Sequence, residues 1–177
     1  MLFATPLGEI IKEGQLESII KTIDTFVCKD KDVELFLKQK AFDFERRDKG
    51  RTYLVFDDNE TLLGYFTLTL NALPFSETVS KSKAKNIDGF SKDVRAVGII
   101  LIGQFGKDLL TASEINGDEL FNLCLDTVYS AKNIIGGRFV MLECLEIDKV
   151  VSFYRKNGFE PLQYDKNDKY LQMVRRL

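Results

Sequence analysis

The sequence contains no histidine. That absence excludes Ser-His-Asp triads, Cys-His dyads and His-ligated metals. Acid-base chemistry must then fall to Glu, Asp, Tyr, Lys, Cys, the backbone or water. Cysteine is sparse. Cys28, Cys124 and Cys144 show no C-x-x-C spacing, which argues against a disulfide framework and against a zinc site, so no metal is expected. Charge of one sign is lacking too. Lys and Arg total 25 against 27 Asp and Glu, a net charge of −2, which is not the profile of a dedicated nucleic-acid binder. The longest apolar run, 96–102, is far too short to cross a bilayer, so no membrane partner is expected. The opening MLFATPLGEIIKEG has no basic region followed by an apolar run, so a cytoplasmic chain is expected. What is present is a 177-residue chain, 45% apolar and 29% charged. Its size predicts a single domain over 1–177 with a substantial core.

Apolar spacing predicts a helix over 16–27 and a second over 33–47, ending in the charged run before Gly50. The period then changes. RTYLVFD at 51–57 and TLLGYFTLTL at 61–70, around Asp57-Asp58-Asn59-Glu60, predict a hairpin. Residues 71–93, with Pro74, the run VSKSKAKN and Gly89, predict a locally basic loop insertion. VRAVGIILIGQF at 94–105 predicts a central strand. A loop follows, then a helix opening at Asn116 or Gly117 and running to about 133. FVMLECL at 139–145 predicts a second central strand. Asp148 is placed to cap a helix over 149–157 that stops at Gly158. Strands at 159–164 and 169–175 close the chain. The order predicts a mixed α/β (α+β) domain with a βαβ unit at its heart.

Several residues carry chemistry on their own terms. The strand-loop-helix passage into Gly117 offers backbone N–H groups and a helix N-terminus to an anion, opposed by Asp118 and Glu119. Gly98 and Gly103 interrupt the central strand, as bulges or close approaches do. Tyr154 offers a phenol, which with a reference pKa of about 10 stays protonated at neutral pH and can act as an acid. Glu143 and Glu114 are the candidate bases. Cys124 and Cys144 fall at apolar positions and are expected as small core residues. The run RRDKGR at 46–51 offers a basic helix end.

VMLECLEIDKVVSFYRKNGF, at 140–159, resembles the last core strand and helix of the GNAT acyltransferases, with Phe153, Tyr154, Gly158 and Phe159 on their FYxxxGF pattern. The hairpin at 51–70 resembles their β2–β3 pair, and 99–131 their acetyl-CoA-binding unit. The resemblance implies a GNAT-like fold, a central mixed sheet of about six to seven strands flanked by about four helices. It implies acetyl-CoA as cosubstrate, held near Leu101, Ile102, Gly103, Ile115, Asn116, Gly117, Asp118, Asp148 and Phe153. Tyr154 would protonate the departing thiolate and Glu143 would serve the amine. The family's pyrophosphate loop is altered here. Ala112, Ile115 and Gly117 occupy its three signature positions, and only the last is a glycine. The implied function is acetyl transfer to the amine of a small molecule, protein or peptide, with a homodimer in view. VELFLKQKAFDFERRDKGRTYLVFDDNETLLGYFTLTL also resembles GNAT toxins that acetylate aminoacyl-tRNA. That reading and a non-catalytic binding module are the alternatives.

Overall fold

The computed structural model describes residues 1–177. The elements are β1 (Phe3–Pro6), α1 (Leu7–Lys12), α2 (Leu16–Thr25), α3 (Lys31–Gln39), α4 (Ala41–Arg46), β2 (Arg51–Phe56), β3 (Leu62–Pro74), α5 (Lys81–Asp88), β4 (Ala96–Lys107), α6 (Gly117–Ile135), β5 (Phe139–Cys144), α7 (Asp148–Lys156), β6 (Glu160–Tyr164) and β7 (Leu171–Arg176). The strands form one mixed sheet in the order β1-β2-β3-β4-β5-β7-β6. The chain falls into two compact units: Met1–Thr69 with Gly103–Thr127, and Leu70–Ile102 with Val128–Leu177.

In the first unit, β1, β2 and β3 form an antiparallel meander. The turn after β2 is built as its composition predicts. Asp57 accepts hydrogen bonds from the N–H groups of Asn59 and Thr61, and Glu60 takes a left-handed conformation. Ile19, Ile23, Leu37, Leu54 and Tyr65 anchor the core here. The predicted helix 33–47 is two helices. Asp30 caps α3 through Asp32 N–H at 2.9 Å, and the chain breaks at Lys40 before α4. Two glycines let strands and helices close up. A Cβ on Gly106 would lie 2.6 Å from Val33 Cγ1, and one on Gly64 would lie 2.7 Å from the Gly106 carbonyl.

In the second unit, β4 runs parallel to β5 at Ile100–Val140, Leu101–Met141 and Ile102–Leu142. β5 and β6 both pair antiparallel with β7. Leu73, Ile87, Ile99, Phe139, Met141 and Val174 form its core on one face. The predicted loop 71–93 is largely structured. β3 continues to Pro74, and α5 occupies 81–88. Ser80 Oγ accepts from Lys83 N–H, Ala84 and Ile87 are buried, and Gly89 ends the helix in a left-handed conformation. The short N-terminal elements β1 and α1 carry no long periodic pattern, and the sequence does not predict them.

Candidate active site

The junction from β4 to α6 lies in the first unit. Asp108 is buried, at 4% exposure. Its carboxylate accepts from Val27 N–H at 2.8 Å, Thr111 N–H at 3.0 Å and the Thr111 hydroxyl at 3.1 Å. Three donors satisfy a charge that would be costly to bury alone. Lys107 Nζ then donates to the carbonyls of Ala112, at 2.9 Å, and Ile115, at 3.0 Å. The loop is thus pinned from both sides by two adjacent residues. Ile115 turns its side chain into the core at 2% exposure.

Helix α6 begins with a reciprocal capping box. Asn116 Oδ1 accepts from Glu119 N–H, and Glu119 Oε2 accepts from Asn116 N–H, both at 2.9 Å. The spacing N-x-x-E was in the sequence as a capping signal. A carboxylate therefore stands on one of the N–H groups at this helix start. Gly117 and Asp118, both half-buried, form its first turn. Gly103, in the same unit, is exposed, and a Cβ there would come to 3.2 Å from Thr67 Oγ1.

The other residues lie in the second unit. Leu101 and Ile102 are paired with Met141 and Leu142 on β5. Glu143 follows directly and is exposed, while Leu142 and Cys144 are buried. Gln172 Nε2 donates to Glu143 Oε1 at 2.7 Å. Gly98 has nothing within 4 Å of a built Cβ, so crowding does not account for it. On α7, Tyr154 is half-buried, with its ring 5.3 Å from Phe153 and 6.1 Å from Phe159, both edge-on. Gly158 supplies the left-handed residue after the helix, so Phe159 N–H can return to the Tyr154 carbonyl at 3.0 Å. The FYxxxGF pattern is thus a helix end whose two outer aromatics bracket the tyrosine.

The structure corrects one expectation. Asp148 is not a cap. It is the first residue of α7, exposed, and Ile147 holds the N-cap position without a side-chain bond. The extended backbone of Ile147 sets the boundary one residue earlier than the sequence suggested. The RRDKGR run is the exposed basic helix end expected, and its arginines pair locally: Arg46 and Arg47 face Asp43, and Arg51 bridges Glu45 and Asp48. Cys124 and Cys144 are buried core thiols as expected, and burial pushes both upward from the ordinary thiol range. Glu114 is an exposed loop residue touching Ser113. No group of three or more His, Cys, Asp or Glu side chains is placed to hold a metal ion. The sequence did not point to Lys107, Asp108, Gln163 or Gln172, because each works through a partner distant in sequence or a backbone carbonyl.

The chain matches no protein-family model and no curated protein. Its fold does match solved structures. AtaT complexed with acetyl-methionyl-tRNAfMet is 24% identical, with a TM-score of 0.65 over 85% of each chain. A structure described as a bacterial toxin gives 0.72 over 99% of this chain and 90% of that one, at 16% identity. The chain has the GNAT fold. A tyrosine-to-phenylalanine variant of KacT shares that GNAT frame at 23% identity, with a TM-score of 0.66 over 85% of each chain.

Proposed function

We propose that this chain is an acetyl-CoA-dependent N-acetyltransferase of the toxin type, with the α-amino group of an aminoacyl-tRNA as acceptor. The observation that carries the reading is the GNAT fold shared with acetyltransferase toxins over at least 85% of the chain, together with the Phe153-Tyr154 pair at the end of α7. One of those neighbours holds acetyl-methionyl-tRNAfMet, and another structure of AtaT holds acetyl-CoA and the C-terminus of the antitoxin AtaR. An antitoxin is therefore the protein partner we assign here. The slightly acidic charge of the whole chain is no obstacle where cations are local. Lys85, Lys92 and Arg95, in and after α5, are in no ion pair and suit a phosphate backbone.

The acceptor amine attacks the thioester carbonyl carbon. The C–N bond forms, the C–S bond breaks, and the amine loses a proton. Glu143 takes that proton, directly or through water, and Tyr154 gives its phenolic proton to the departing thiolate. Leu101 and Ile102 keep β4 paired to β5, so a backbone N–H of β4 from Gly103 onward, past the last pair at Ile102–Leu142, serves the carbonyl oxygen. Gly117 and Asp118 present N–H groups to the pyrophosphate, with Ile115 withdrawn into the core and Asn116 beside them. Phe153 holds the tyrosine ring in place.

The first test is the melting temperature with acetyl-CoA, with CoA and with ATP. Saturation at about 100 times Kd adds about 2.7 kcal/mol, a rise of about 5–10 °C for a chain of this size. The expected result is a rise with both CoA compounds and none with ATP. Radiolabelled acetyl-CoA should then label aminoacylated tRNA. The Glu119 carboxylate at the start of α6 favours a second reading, a GNAT-like binding module without catalysis. No rise at millimolar acetyl-CoA would overturn the acetyltransferase reading and leave that one.

A further inference from the structure

Three side chains form a row across β5, β7 and β6. Glu143 is the register partner of Gln172, and Gln172 is the register partner of Gln163. They therefore stand side by side on one face of the sheet. Gln172 and Gln163 are both 8% exposed, whereas Glu143 is exposed. The outer end of the row meets the segment after β3. Gln163 Nε2 donates to the Pro74 carbonyl at 2.8 Å, and Gln163 Oε1 accepts from Ser76 N–H at 2.9 Å.

These two backbone contacts fix the direction of every bond in the row. A carbonyl can only accept and an N–H can only donate, so the Gln163 amide has one allowed orientation. Its second Nε2 hydrogen points to Gln172 Oε1 at 2.7 Å. That fixes Gln172 in turn and aims its Nε2 at Glu143 Oε1, at 2.7 Å. Every polar atom of the two buried amides then has a partner, apart from one Nε2 hydrogen of Gln172. Glu143 receives the final hydrogen bond on one oxygen only. It forms no ion pair with any Lys or Arg, so its second oxygen is left to the solvent side.

We propose that Gln172 is a positioning residue, which with Gln163 forms a fixed amide relay that presents the free oxygen of Glu143 to the acceptor's ammonium group. This rests on the acetyltransferase reading and deepens it. A glutamate on an exposed strand position would otherwise sample several rotamers. Held by one oxygen, it offers the other in a single direction, which suits a cationic amine that must arrive aligned before it loses a proton. The relay also explains two buried glutamines in adjacent strands, where apolar residues are the usual choice.

The test is a double-mutant cycle with Glu143→Gln, Gln172→Met and the double variant, read as acetyl transfer to aminoacylated tRNA. Gln172→Met keeps the shape and removes the amide. Each single variant should lower kcat by about 10- to 100-fold and leave KM for acetyl-CoA unchanged. The double variant should be no slower than Glu143→Gln, because Gln172 acts only through Glu143. Equal losses from Gln172→Met in both backgrounds would overturn the proposal, since a merely structural role is additive. Should Gln172→Met fold poorly, Gln163→Met breaks the row one strand further out and enters the same cycle. A second readout needs no activity. The side-chain amide resonances of Gln172 and Gln163 should both move in the nitrogen–proton NMR spectrum on Glu143→Gln. Static resonances would show that no relay exists, whatever the kinetics. If the resonances move but the wild type acetylates no aminoacyl-tRNA, the acceptor reading fails and the relay's role falls with it. If the wild type is active and the losses add, the relay proposal alone fails.

Discussion

Tyr154 is the residue on which the proposed chemistry turns. Replacing it by Phe removes one oxygen and keeps the ring that meets Phe153 and Phe159. Turnover should fall by about 100-fold or more, while the melting rise with acetyl-CoA persists. If the variant is expressed in a host whose growth the wild type arrests, growth should resume. Unchanged turnover would remove the tyrosine from the mechanism. Gly106 gives a structural contrast. Its added methyl would meet Val33 at 2.6 Å, so Gly106→Ala should cost about 1–3 kcal/mol, read as a lower denaturation midpoint. At this scale the sequence was informative where one residue type has one job. The buried thiols and the terminating Gly158 were legible. Gln163 and Gln172 were not. A glutamine in a strand usually faces water, and only the register of three strands brings these two together.

Elements were legible in proportion to their apolar pattern. Helices α2 and α6 and strands β2, β4 and β5 carry strong periodic signals, and the structure holds them within a few residues of expectation. Helix α5 has only Ala84 and Ile87 to bury, among lysines and polar residues, so it read as a loop. Its caps, Ser80 and Gly89, were the better signal. The start of α6 has a sharper consequence. Asn116→Ala should cost about 1 kcal/mol of stability, seen in urea unfolding. Glu119→Gln removes the negative charge from the helix start and leaves an oxygen able to accept from Asn116. We expect it to bind acetyl-CoA more tightly than wild type by calorimetry. Weaker binding would mean that the pyrophosphate does not approach these N–H groups.

At the scale of the whole molecule, near-neutral composition hides carboxylates held by local donors, and these set the acid limit. The Lys31 ammonium and the Cys28 N–H hold Glu34 down from 4.5 to about 2. The N–H groups of Thr61 and Asn59 lower Asp57. In the last hairpin, those of Tyr170 and Lys169 lower Asp165. All three carboxylates are thus held below their ordinary values in the folded chain. Such groups add stability that is fully present above their unfolded values and is lost as pH falls toward the folded ones. The melting temperature should therefore be level above about pH 5 and fall between about pH 4.5 and 2. Glu34→Gln should flatten part of that fall. A melting temperature constant down to about pH 2 would contradict the assignment. The sheet order and the two compact units were beyond the sequence, because strand neighbours such as β5 and β7 are set by pairing across long separations rather than by local pattern.

The three cysteines have a practical corollary. All are free and buried, and burial raises each thiol above its ordinary range, leaving little thiolate to react. The native chain should therefore react little with maleimides, which a thiol titration of the folded protein checks. A single cysteine introduced at an exposed position with no assigned role, such as Asn133 in α6, would take a fluorophore at that point alone. The wild-type background then needs no cysteine removal before tRNA or antitoxin binding is followed by fluorescence.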